Sequence, residues 1–124
     1  MCGISGFIDF SKSFSKAELG KLGLSMAHTL SKRGPDASGV WCDDVCGISL
    51  SHRRLSIIDL SKNANQPMVS ESGRFVLVYN GEIYNFKNLS LDLQKEGIKL
   101  KTSSDTEVLL EYLSFFGVYE TLKK

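Results

Sequence analysis

Along the first third of the chain the apolar positions recur every second residue and then at near-helical spacing, which predicts a strand followed by a helix. Residues 2–10 read as the strand, with Cys2, Ile4, Gly6, Ile8 and Phe10 on one face. Ser15, followed three residues later by Glu18, has the form of a capping box, in which each side chain satisfies a backbone N–H of the other. Leu19, Leu22, Met26 and Leu30 then repeat at helical spacing and predict the core stripe, and Gly34-Pro35 closes the run.

Residues 40–42 and 45–50, on either side of Asp43-Asp44, predict a hairpin. Residues 51–60 carry His52, Arg53 and Arg54 in succession and then the apolar run "LSIIDL". Residues 75–79 read as a strand that ends in Asn80-Gly81. Asn85 is placed to cap a second helix with Phe86, Leu89 and Leu93 on one side and Gly97 as its left-handed C-cap. Ile98, Leu100 and Thr102 alternate as one more strand. Ser104 or Asp105 then caps a third helix, with Leu109, Tyr112, Leu113 and Phe116 on one face and Gly117 at its end. Helices and strands are interspersed without a linker, a repeat or a low-complexity tract.

The length of 124 residues suits one domain that buries roughly two-thirds of its unfolded surface. Fifteen Lys and Arg against fourteen Asp and Glu leave a net charge of +1, so there is no basic excess to attract nucleic acid or an anionic membrane. No stretch reaches the ~20 apolar residues of a membrane span, and the N-terminus has neither the basic start nor the apolar run of an export signal; the expected location is cytoplasmic. Three irregularly spaced cysteines argue against a disulfide framework and for reduced thiols.

Cys2 is the first candidate for chemistry. If Met1 is removed, one residue carries both a thiol, ordinarily titrating near about 8.5, and an α-amine, near about 7.7–8.0, so proton transfer between them is nearly balanced. The alternative is a small buried apolar residue. Asn80-Gly81 by itself reads as a hairpin turn. Cys42, Cys46 and His52 invite a zinc reading, but the C-x3-C spacing and the lack of a second cysteine pair argue against one, and no metal is expected. Neither "GISG" nor "ASGV" is a phosphate loop.

The stretches "MCGISGFID", "RGPDASG", "HRRLSIIDL", "NQPM", "YNGEIYN" and "SDTEV" stand in an order that resembles the glutamine-hydrolysing domain of class II amidotransferases, in particular the asparagine synthetase type. The resemblance implies that Cys2 attacks the side-chain amide of glutamine to give a glutamyl thioester and ammonia. It implies that the Asn80 side chain and the Gly81 N–H stabilise the oxyanion. Arg54 matches the arginine that holds the substrate carboxylate, with its neighbour Arg53 pointing away, and Asp105 matches the residue that holds the ammonium, assisted by Glu82. A helix N-cap is the alternative for Asp105 and is compatible with that role. "RGPDASG" is expected to shape a loop, with a local ion pair between Arg33 and Asp36; the family usually has histidine where Lys32 stands. His52 is expected to be structural.

The implied fold is α+β, an N-terminal-nucleophile hydrolase-like αββα sandwich, truncated so that most of the second sheet is missing. Residues 1–124 would be the N-terminal part of the glutaminase domain. The ATP-dependent synthetase domain, marked in the family by S-G-G-x-D-S, is absent, so ATP and Mg belong to that domain and no cofactor is expected here. The expected partners are L-glutamine and either a second copy, through the uncovered sheet face, or a synthetase domain or subunit. The ammonia acceptor implied is activated aspartate. A non-catalytic glutamine-binding module and an assembly fragment of a larger amidotransferase remain as alternatives.

Overall fold

The computed structural model describes residues 2–56 and 61–124. Residues 57–60, the last four of "LSIIDL", therefore lie outside the described residues, as does Met1. The elements are α+β, with antiparallel pairing in both sheets. The chain forms two compact units: one holds the residues up to Ser56 with Asn65–Pro67 and Val78–Asn80, the other the stretch ending at Ala64 with Met68–Leu77 and Gly81–Lys124.

In the first unit, β1 (Gly3–Ile8), β2 (Ala37–Asp43) and β3 (Ile48–Arg54) form a sheet of order β1-β3-β2, and α1 (Lys16–Thr29) packs on one face. The hairpin is present with a longer turn than expected: Asp43 carboxylate accepts the Cys46 N–H at 3.0 Å, and Val45 lies in the exposed turn. Ser15 and Glu18 form the reciprocal capping box.

The α1 stripe differs from expectation. Leu19, Gly23 and Ala27 are buried, whereas Leu22 and Met26 are exposed. The cause is close packing on small side chains: the Ser49 hydroxyl donates to the Leu19 carbonyl at 3.1 Å, and a Cβ on Gly23 would lie 2.4 Å from Ser49 Oγ. A helix that sits this near a sheet faces it with its smallest residues.

The register puts Ser5, Ser51 and Val40 on the α1 side, and Ile4, Ile8, Ile48, Leu50 and Trp41 on the opposite side. Ile4 is 48% exposed and Ile8 53%. On this opposite side Ile4 and Ile8 leave an exposed apolar patch, whereas His52 and Arg54 on the same face are buried.

In the second unit, β4 (Met68–Val69) pairs with β5 (Val76–Leu77), and α2 (Phe86–Lys95), α3 (Asp105–Phe116) and the short α4 (Val118–Thr121) follow. Leu89, Leu93, Val108 and Tyr112 form the core, against which Ile98 and Leu100 pack. Gly97 has the left-handed φ of +82° expected after α2, but the Asn85 side chain makes no cap bond and donates instead to the Lys124 carbonyl at 2.9 Å.

Two predicted strands change. Only Val76–Leu77 of residues 75–79 pairs in a strand, because the Tyr79 N–H goes to a side chain, Gln66 Oε1, at 2.6 Å. Residues 98–102 form no strand: the Glu107 carboxylate accepts the N–H groups of Lys101 at 2.8 Å and Thr102 at 2.7 Å, so a side chain replaces the ladder.

Candidate active site

Cys2 precedes β1, and continuing the register one step beyond Gly3↔Arg53 brings it opposite Arg54, on the face away from α1. The Leu55 N–H donates to Cys2 Sγ at 3.3 Å, and the thiol donates to the Leu55 carbonyl at 3.6 Å. A sulfur held against a backbone N–H is presented in one direction. Arg33 Nε donates to the Cys2 carbonyl at 3.3 Å.

Arg54 is buried at the end of β3, with Nη1 donating to Asn65 Oδ1 at 2.8 Å. Arg53, on the other face, donates from Nε to the Gly34 carbonyl at 2.8 Å. The loop of "RGPDASG" braces this end of the sheet: the Asp36 N–H donates to the Arg54 carbonyl at 3.0 Å, and its carboxylate accepts the Ser56 N–H at 2.7 Å. Among the described residues Arg33 and Asp36 form no ion pair, because each is engaged on the ends of β1 and β3 instead.

His52 lies on the same face as Arg54 and is 1% exposed, and neither ring nitrogen has a hydrogen-bond partner among the described residues. Burial pushes its pKa below the ordinary 6.5; the Tyr79 backbone, outside hydrogen-bond geometry, works the other way, and the Arg54 charge adds to the lowering. Asn80 belongs to this unit too and is exposed.

The second unit holds the other candidates. Gly81 and Glu82 are exposed. Asp105 is the first residue of α3 and is buried, and its Oδ2 accepts the Ile83 N–H at 2.9 Å. The cap itself is Ser104, whose hydroxyl accepts the Thr106 N–H. Asp105 thus fixes the backbone next to Glu82. Cys42 is buried and its thiol donates to Ser49 Oγ at 3.6 Å, while Cys46 is exposed in the hairpin turn.

The residues that reasoning from sequence missed are Asn65 and Gln66, which bond Arg54 and Tyr79. "NQPM" was noticeable as a motif, but nothing in its spacing tells which backbone or side-chain groups its two amides meet.

The family described as "Glutamine amidotransferase domain" matches residues 1–124. "Asparagine synthetase [glutamine-hydrolyzing] 3" of Bacillus subtilis is 39% identical over 114 residues, covering 89% of this chain and 17% of that protein. "Asparagine synthetase B [glutamine-hydrolyzing]" of Escherichia coli is 37% identical over 110 residues, covering 89% and 19%. "Amidase chry2" of Gibberella zeae is 37% identical over 126 residues, covering 95% and 18%. The chain spans less than a fifth of the length of these relatives. With the match running through every described element, this chain belongs to the glutamine amidotransferase domain family.

Proposed function

We propose that the chain hydrolyses the side-chain amide of glutamine through Cys2. With Met1 removed, the Cys2 α-amine takes the thiol proton as Sγ attacks the amide carbon. The tetrahedral intermediate collapses to a glutamyl thioester as the α-amine passes its proton to the amide nitrogen of the substrate, which leaves as ammonia. Water, deprotonated by the same amine, then cleaves the thioester to glutamate and restores the thiol. Asn80 through its side chain and Gly81 through its N–H stabilise the oxyanion, Arg54 binds the α-carboxylate in parallel hydrogen bonds, and Asp105 with Glu82 binds the α-ammonium. The observation that supports this reading most directly is the end of the β1–β3 pair, where the thiol is held at Leu55 on the sheet face that also carries Arg54.

The same reading places residues 1–124 as the N-terminal part of a class II glutaminase domain of the N-terminal-nucleophile αββα type. The ammonia goes to an acceptor such as activated aspartate, in keeping with the two relatives named as glutamine-hydrolysing asparagine synthetases. ATP and Mg serve a synthetase domain, and the glutaminase step needs no cofactor. Beyond glutamine, the partner is a second copy or a synthetase domain or subunit, received on the exposed apolar patch of Ile4 and Ile8. A nucleophile used as a free thiol implies a reducing compartment such as the cytoplasm.

The test is glutamine turnover by the purified chain, following glutamate and ammonia, with N-terminal mass spectrometry to establish that Met1 is gone. Hydrolysis that is lost in Cys2→Ala is expected. Equal hydrolysis by Cys2→Ala, or glutamine binding without turnover by a chain that begins at Cys2, overturns the proposal.

A further inference from the structure

Asn65 and Gln66 are adjacent in the chain, and their amide oxygens accept hydrogen bonds from different parts of the first unit. Asn65 Oδ1 accepts from Arg54 Nη1 at 2.8 Å, and Gln66 Oε1 accepts from the Tyr79 N–H at 2.6 Å. Gln66 is 8% exposed. Its own backbone rests directly on β2: a Cβ on Gly39 would lie 2.2 Å from the Gln66 carbonyl oxygen, so only glycine allows this approach. Gly39 is in register with His52, two residues from Arg54 along β3. The dipeptide is therefore seated on the rigid sheet and not on a free loop.

We propose that Asn65 and Gln66 are positioning residues for glutamine hydrolysis, Asn65 by fixing the plane of the Arg54 guanidinium and Gln66 by fixing the chain at Tyr79, next to Asn80. This rests on the reading of Arg54 and Asn80 given above. A guanidinium meets a carboxylate bidentately only in its own plane, so a bond to Nη1 sets the direction from which the substrate carboxylate is received. An oxyanion donor is useful only where it is already aimed, and the backbone one residue away decides that aim. Both amides are neutral, so they orient without cancelling the Arg54 charge. Together they predict a division of labour: Asn65 governs binding, Gln66 governs turnover.

The experiment measures steady-state glutamine hydrolysis and residue-resolved amide hydrogen exchange on the full chain. Gln66→Met removes the acceptor at similar volume. The expected result is a fall in kcat of about tenfold with KM within about twofold. Asn65→Ala is expected to raise KM about tenfold with kcat within about twofold. In Gln66→Met the Tyr79 amide exchanges at least about tenfold faster while the β1–β3 amides keep their protection. Unchanged kcat in Gln66→Met, unchanged Tyr79 exchange, or loss of β1–β3 protection, which would make Gln66 a general structural residue, each overturns the proposal. If the wild-type chain shows no Cys2-dependent hydrolysis, the glutaminase reading has failed, and this assignment of roles falls with it; Tyr79 exchange then reports separately whether the Gln66 tether exists in solution.

Discussion

A histidine sealed from water, with no hydrogen-bond partner for its ring among the described residues, already costs the folded state the desolvation of its nitrogens while it is neutral, and far more once it is charged. For His52 the lowered pKa means that, as pH falls below the ordinary 6.5, the unfolded chain takes up a proton that the folded chain refuses. Stability therefore falls with falling pH from about 6.5 down to the depressed folded value and levels off below it. Urea denaturation between pH 5 and pH 8 is expected to show this decline in the wild type and a flatter profile in His52→Leu; equal slopes would refute it. The site residues divide in the same testable way. Arg54→Ala is expected to raise KM chiefly, and Asn80→Ala to lower kcat by roughly 10² to 10³. The reverse pattern would exchange their roles. Cys2 and Arg54 could be singled out only through the family resemblance of the motifs that carry them, since by residue type alone a cysteine reads as a small buried apolar residue and one arginine beside another as a surface charge. The supporting amides could not, because a neutral side chain that bonds a distant backbone leaves no periodic mark.

One helix holds three separate stretches of backbone by buried carboxylates. Asp105 accepts from Ile83, Glu107 from Lys101 and Thr102, and Glu111 from Glu71 at 2.8 Å, all along α3. Glu107→Ala strands two N–H groups and is expected to lower stability by about 1–3 kcal/mol, with accelerated exchange at Lys101 and Thr102 as its signature. No such acceleration would show that the carboxylate is dispensable. This arrangement also explains why the alternation at Ile98, Leu100 and Thr102 misleads: two of those side chains do pack inward, but the backbone donors that would define a strand are used by Glu107. The capping box at Ser15, by contrast, was legible because all its parts lie within four residues. The α1 stripe misled for a third reason, since Gly23 and Ala27 pack the sheet by being small, which a count of large apolar residues passes over. Gly23→Leu is expected to destabilise the chain by about 1–3 kcal/mol or more through overpacking, read as a lowered Tm. An unchanged Tm would mean that α1 is not seated as described.

At the scale of the whole molecule, the exposed apolar patch on β1 leads to a prediction about association. Ile4 and Ile8 leave apolar surface in water at a cost of roughly 25 cal/mol per Å². Sedimentation across micromolar concentrations is expected to show self-association that weakens in Ile8→Asp; a monodisperse wild-type monomer would count against a second copy as the occupant. No helix among the described residues is long and apolar enough to cross a membrane. The path of the chain has its own consequence. Because Asn65–Pro67 and Val78–Asn80 return to the unit that contains β1–β3, a gene cut after Ser56 would encode the sheet without the segments that bond Arg54 and carry Asn80. Domain shuffling, limited proteolysis and split-protein engineering all rely on a single clean seam, and this polypeptide is stitched across its own boundary too often to offer one.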